Sequence, residues 1–574
     1  MYASDFPRSD PVRAFQRLLA RWLRGAGLLL AAAMATSTLL AVDGSEVVLV
    51  YAKGNGESRG VAEHYARARN VPESHWIALT VSSENALTRD EYVSQIQQPL
   101  LEELSKRGLM SFTNFISKTN LHHAGGPAIR CTSASVRYLV LCWGIPYGIA
   151  NEPRLLGNLA TNFPGPLRRN DASVDSELML LPAAGSYPLV AGLPNPLYSK
   201  SERSQFHPTN GVLMVGRIDG PTPAIARGLI DKALFCETNG FSGNAYIDLR
   251  NITSGGYRIG DEWMTNAASV CRRVGLSTYV DNRPDTLPSN FPLSQVGVYI
   301  GWYTQNADGP FSRPEVEFMP GAIAYHLHSY NGQSPRDSSM RWLGPLLAKG
   351  ATVTFGSIAE PYLDFTPNPH VVMELLAAGG YTVGEAALSS QQWLSWVNLF
   401  IGDPLFAPFQ RDLTRQEASQ VANRSPNLQW TVLRKANVIL SQNGKPSEIR
   451  DALVNFPLTT NSPVLAEKVA SLFADASQFR SAVSWASNAL ALSPSPQQRL
   501  RLLLNLAEWQ ALSLRRDEAL DTLAEVERFR EDYRDSIPFR ERQLQLARDL
   551  VRTPEIARLK EEIDRIKTAA EVKK

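Results

Sequence analysis

Residues Ala322–Glu360 read AIAYHLHSYNGQSPRDSSMRWLGPLLAKGATVTFGSIAE. They hold a β-rich run (Ala322–His326), a helix-forming stretch (Ser338–Lys349) and a second β-rich run (Ala351–Phe355). Apolar runs too short for helices, separated by an amphipathic helix, are the signature of strands in a sheet that helices cover. The same alternation extends outward. It predicts strands at Val47–Tyr51, Trp76–Val81, Val136–Trp143, Val212–Val215, Ala245–Leu249, Thr278–Val280 and Val296–Ile300, and helices at Ser58–Arg69, Arg89–Ser105, Pro223–Cys236 and Asp261–Arg273. The fold class is therefore α/β over residues 45–410, with helices on both faces of the sheet.

Two polar insertions, near 109–134 and 150–210, interrupt this alternation and are rich in Gly, Pro, Asn and Ser. The second carries Asp171, Asp175 and Glu177, three acids close enough in sequence to suggest a calcium loop, although no Asp-x-Asp-x-Asp-Gly pattern is present. Past Pro408 the strand signals cease, and residues 425–574 read as helices throughout. There Val469, Ala470, Phe473, Ala482, Ala489 and Pro494 fall at the spacing of a tetratricopeptide repeat, where small and large residues interlock two antiparallel helices. A weaker copy uses Leu506, Ala507, Ala519 and Leu523, with Gln510 where an aromatic is usual. Ile556, Leu559, Ile563 and Ile566 form an apolar stripe suited to capping the array.

At 574 residues with 44% apolar content the chain can fill more than one core. Its 58 Lys and Arg against 56 Asp and Glu leave a net charge of +2, which gives no electrostatic ground for a nucleic-acid partner. Arg13, Arg17, Arg21 and Arg24 precede an uncharged stretch, Gly25–Val42, with a small-x-small site at Ala33-Met34-Ala35. This predicts an export signal over 1–42, cleaved or retained as an anchor, and membrane contact through that segment alone. The four cysteines (Cys131, Cys142, Cys236, Cys271) form no metal-binding spacing.

In α/β sheets ligands bind beyond the carboxyl ends of strands, where backbone groups and side chains converge. Three such ends are rich in reactive groups: Trp302, Tyr303, Thr304 and Gln305 after one strand, His328, Ser329, Tyr330 and Asn331 after the next, and Ser357 to Glu360 after the third. Asp219 and Asp403, each beside Gly and Pro, read as turn residues, Asp219 also as a helix start, and Trp393 and Trp396 as core anchors on a helix.

From these residues the α/β region resembles the gingipain-type cysteine peptidases, which share the caspase-like fold. The similar segments are Val212–Glu237 (VLMVGRIDGPTPAIARGLIDKALFCE), Trp342–Gly356 (WLGPLLAKGATVTFG) and Asn398–Leu405 (NLFIGDPL). The whole chain also resembles a family of exported bacterial proteins. The peptidase resemblance implies a mostly parallel sheet, a catalytic His in a Gly-His-Gly turn and a Cys before the next small turn. Here Gly301-Trp302-Tyr303 places Trp302 where the His belongs, and Ser329 stands where the Cys belongs. Tryptophan cannot act as a base, and a serine hydroxyl needs one, so the usual thiol mechanism is excluded.

Three readings of this edge follow. Ser329 with His328 or His326 could form a serine hydrolase centre, although residues two apart share a face of a strand and Ser329 would point away from both imidazoles. His326 and His328 on one face, with Glu360, could hold a divalent metal such as zinc or iron. Alternatively the histidines are structural, and Trp302, Tyr303, Gln305, Asn331 and Glu360 line a binding cleft. Without the dyad, and with a repeat tail of the kind that binds proteins, the sequence favours an exported protein that binds a polypeptide or envelope component.

Overall fold

The computed structural model describes residues 44–117, 126–187 and 189–572. The predicted export segment lies outside them. Within the described residues no helix is long and apolar enough to cross a membrane. The described residues divide into two compact units, one of residues 44–289 and 296–419 and one of residues 290–295 and 420–572.

In the first unit ten strands form one sheet among the described residues: β1 Val47–Ala52, β2 Trp76–Leu79, β3 Tyr138–Cys142, β4 Met214–Ile218, β5 Asn244–Asp248, β6 Thr278–Asp281, β7 Val296–Trp302, β8 Phe318–Leu327, β9 Val353–Ser357 and β10 Asn398–Ile401. Their spatial order is β6-β5-β7-β8-β9-β10-β4-β3-β1-β2. Strands β6, β5, β7, β8 and β9 are parallel to one another, as are β4, β3, β1 and β2, and β10 lies between these blocks, antiparallel to β9 and joined to β4 at the single register pair Arg217/Ile401. The carboxyl ends of the two blocks lie at the same edge of the sheet: Arg336, after β8, reaches Asp219, after β4, and the carbonyl of Ile145, after β3. β1, β3, β4 and β7 are buried almost throughout, as expected of strands covered on both sides.

Nine of these strands lie where the sequence places them, within a few residues. The tenth, β10, falls in the segment first read only as a Gly-Asp-Pro turn. The insertion near 109–134 also contains structure: Met110–Ser117 pairs antiparallel with Gly126–Ala134. Helices α1 Gly56–Arg69, α2 Pro223–Asn239 and α3 Arg258–Arg273 match expectation, but α4 spans only Leu343–Ala348 rather than Ser338–Lys349. The residues before it form a turn, in which the Asp337 carboxylate accepts the amides of Ser339 and Met340 and Arg341 adopts φ 60°. Trp393 and Trp396 are not on a helix. Trp393 lies in a two-residue strand, stacked 3.9 Å from Phe365, and Trp396 is buried and donates to Pro361 O.

The three acids of the second insertion are each paired with their own arginine. Asp171 pairs with Arg169, Asp175 with Arg217 and Glu177 with Arg89, so each charge meets a different guanidinium. Asp219 is likewise no helix cap. Thr222 caps α2 by accepting the amide of Ile225, while Asp219 is fully buried and bound by Arg217 and Arg336. All four cysteines are buried, and burial pushes the Cys271 thiol up to about 12.

The second unit is helical. After two helices, Leu428–Ser441 and Pro446–Val454, come α5 Pro463–Asp475, α6 Phe479–Ala491, α7 Pro496–Leu512, α8 Arg516–Phe529, α9 Ile537–Asp549 and α10 Thr553–Val572. Ser462-Pro463 and Ser495-Pro496 open α5 and α7 in the same way: the serine accepts an amide of the first turn, and proline occupies a position whose N–H needs no partner. Val469, Ala470, Ala482 and Ala489 are fully buried at the α5/α6 crossing. Gln510, polar where an aromatic is usual, is buried and accepts a hydrogen bond from Thr522 at 2.8 Å. Leu559 and Ile563 of α10 pack on Leu544 and Ala547 of α9.

Candidate functional site

The carboxyl ends of β7, β8 and β9 carry the residues singled out in the sequence, and the structure sorts them into an interior set and a rim. His326, the residue before the last of β8, has no exposure. Its Nε2 accepts the amide N–H of Thr304 at 3.2 Å, which places the ring hydrogen on Nδ1, where it is donated to the Tyr299 hydroxyl at 2.9 Å. The indole of Trp342 stacks on the ring at 3.5 Å and 5°. Burial, aided by the charges of His328 and Arg250, holds His326 neutral, far below the usual imidazole range. Both nitrogens are thus committed inside the fold.

Tyr299 continues the chain of polar groups. Its hydroxyl lies beside the carboxyl of Asp248 at the end of β5, and Asp248 Oδ1 has no hydrogen-bond partner. Burial first, then the neighbouring Asp281 and Asp308, raise the Asp248 carboxyl to about 7. Thr304 connects the other side, donating its hydroxyl to Asp308 at 3.1 Å.

Trp302 does not face solvent. Its indole is buried and donates to Asp261 at 2.9 Å, and it lies against Gly260 in the first turn of α3, where a Cβ would come within 2.5 Å of the ring. Asp261 also accepts the amides of Arg250 and Ile252, so one carboxylate fixes the indole and the loop after β5 together. Asn331 is buried as well. Its amide donates to His326 O and Phe355 O and accepts the N–H of Ser357, bridging β8 and β9 beyond the point where their ladder stops. A Cβ on Gly356 would meet Asn331 Oδ1 at 2.8 Å, so that glycine admits the bridge.

His328, Ser329, Tyr303, Gln305 and Glu360 are partly or well exposed. His328 donates from Nδ1 to the carbonyl of Ser329 at 2.7 Å, and among the described residues the Ser329 hydroxyl has no hydrogen-bond partner. The serine and the imidazoles therefore form no nucleophile–base pair in this structure. Glu360 accepts the amide of Tyr362 and closes its own turn. Among the described residues no group of three or more His, Cys, Asp or Glu side chains is placed to hold a metal ion, and His326, with Nε2 engaged, does not share a ligand position with His328 and Glu360.

The rim is aromatic and strained. Tyr303, Tyr330 and Tyr362 follow β7, β8 and β9, and all three have left-handed backbones, at φ 89°, 60° and 58°. A bulky residue adopts that region only at a cost of about 1–2 kcal/mol, which the surroundings must offset. Tyr303 is 44% exposed, and its ring is contacted by Trp302 and Tyr257 at 5.5 Å each, by His328 at 6.2 Å and by the Arg250 guanidinium at 5.8 Å. Tyr257 is 53% exposed. Arg250, Tyr257, Asp248, Tyr299 and Trp342 are missing from the sequence reading. Applying the strand-end rule to β5 as well would have reached Asp248 and Arg250, whereas nothing in sequence brings Tyr257 to Tyr303.

No protein-family model matches this chain, and no curated protein sequence matches it. Solved structures with partial similarity include MamA, 13% identical over 28% of this chain and 91% of that one with a TM-score of 0.22. A kinesin light chain from Podosopora anserina with nearly identical TPR-like repeats is 15% identical over 28% of this chain and 85% of that one, with a TM-score of 0.23. A structure described as a protease is 10% identical over 65% of this chain and 80% of that one, with a TM-score of 0.32.

Proposed function

We propose that this chain is an exported recognition protein, built on a caspase-like scaffold of the gingipain type, which binds polypeptide at the strand-end rim and does not cleave it. The tetratricopeptide-like tail adds a second protein-binding surface. What carries the reading is Tyr303: an exposed aromatic held in a left-handed conformation by Trp302, Tyr257, His328 and Arg250. Exposed, rigid aromatic and arginine side chains are the residues on which protein recognition concentrates. The engagement of both His326 nitrogens, and the unpaired Ser329 hydroxyl, support binding over hydrolysis.

The test uses the full chain and a fluorescein-labelled, reduced and carbamidomethylated ribonuclease A as an unfolded probe. Fluorescence anisotropy should report binding that weakens about ten-fold in Tyr303→Ala. Casein and p-nitrophenyl esters should not be turned over. Turnover that disappears in Ser329→Ala or His328→Ala would reverse the proposal.

A further inference from the structure

The arginines at this sheet edge differ in how their charge is used. Arg169 pairs with Asp171 and donates to Glu360 O, and Arg341 donates twice to Gln333 Oε1 while lying over Tyr330. Arg250 is the exception. Its backbone N–H is tied to Asp261, which fixes where the side chain leaves β5, but among the described residues its guanidinium makes no hydrogen bond and no ion pair. It rests over the ring of Tyr303. A partly buried guanidinium placed in this way has been stripped of some water and given no anion in return.

The nearest carboxyls do not fill that place. Asp248, two residues before Arg250 in the chain, forms no ion pair with it, and with its carboxyl raised to about 7 it is only partly ionised at neutral pH. Asp308 accepts from Thr286 and Thr304. On the solvent side stand Tyr257 and Tyr303, both about half exposed.

We infer that Arg250 is the seat for a side-chain carboxylate, Asp or Glu, of an acidic polypeptide segment lying across Tyr257 and Tyr303. The guanidinium fork presents two parallel N–H groups to a planar anion, a match that lysine or histidine cannot reproduce. Flat, half-exposed tyrosines on one side give area to a passing main chain, while the single unpaired cation selects one acidic side chain from it. This assignment rests on the polypeptide-binding reading and narrows it to a class of partner.

The experiment uses the full chain and two fluorescein-labelled, C-terminally amidated peptides of Gly and Ser, one with interspersed Glu and the other with Gln at the same positions. The Glu peptide should bind about ten-fold more tightly than the Gln peptide. Arg250→Gln should abolish that preference, so that the Glu and Gln peptides bind the variant with equal affinity. Arg250→Lys, which keeps the charge and loses the fork, should fall between, and far-UV circular dichroism should show both variants folded. A preference that survives in Arg250→Gln overturns the assignment, as does equal binding of the two peptides by the native protein. If neither peptide nor the unfolded ribonuclease binds, the polypeptide reading itself has failed. Displacement of the Glu peptide by oligogalacturonate at lower concentration than by unlabelled Glu peptide would give the seat to acidic sugars and overturn the assignment to polypeptide.

Discussion

At Asp248 a carboxyl is buried with one oxygen unpartnered, and the consequence appears as a pH dependence. In the folded chain this group keeps its proton to about pH 7, whereas an unfolded Asp releases it near 4. Between those values the folded state binds the extra proton, so wild-type stability falls as pH rises from about 4 to 7 and the loss is complete above that. His326, depressed by burial, acts in the opposite sense: its contribution is present above the unfolded imidazole range and is lost as pH falls below it. Asp248→Asn removes the first effect and leaves the second. Urea denaturation should therefore show the variant gaining on wild type by a few kcal/mol between pH 4 and pH 8. A constant difference across that range would mean that Asp248 is ionised in the fold throughout. Of the site, the sequence shows which strand ends are reactive, because strand ends are local. It does not show that His326 and Trp302 face inward, since their partners Tyr299, Thr304, Trp342 and Asp261 come from other elements or the far side of a turn.

At the scale of an element, β8 and β9 are paired at Ile323/Val353 and Ala324/Thr354 and then separate, and Asn331 takes over the ladder with its side chain. Asn331→Ala would strand three buried backbone groups, His326 O, Phe355 O and the Ser357 N–H. It should cost about 3 kcal/mol or more in chemical denaturation. Asn331→Asp, which keeps the acceptor for Ser357 and loses the donor, should fall between. Long apolar strands and capped helices were readable because their signals are contained within them. β10 was not, because four residues, NLFI, before a Gly-Asp-Pro turn carry too little periodicity to mark a strand. The pairing of Met110–Ser117 with Gly126–Ala134 was hidden by its composition, and α4 begins five residues late because Asp337 organises a turn that competes with the helix.

Across the whole α/β unit, a buried ionic centre joins segments that are distant in sequence. Arg217 on β4 is fully buried and bound to Asp175 and Asp219, and Arg336, from the loop after β8, reaches Asp219 and the carbonyl of Ile145. Although burial works against it, Arg336 and Arg217 hold the Asp219 carboxyl below the usual carboxylate range. Arg217→Met would leave two buried acids without their central cation and should cost about 3–5 kcal/mol in urea denaturation. Adding Asp175→Leu to it should restore part of that loss, because the second substitution removes a charge left stranded by the first. A double variant whose loss equals the sum of the two singles would show that the residues do not act together.

The reversal of direction within the sheet also bears on how the chain comes to be folded. β10, residues 398–401, lies between β9 and β4 and meets β4 at the single register pair Arg217/Ile401, yet it is the last of the ten strands in the sequence. Until some 400 residues have been synthesised, the edges of β4 and β9 have no neighbour, and two half-sheets with bare hydrogen-bonding groups must wait for their central strand. The interval before that strand arrives is when this chain is most open to mispairing with another copy, and the closing step joins contacts of the highest sequence separation in the sheet.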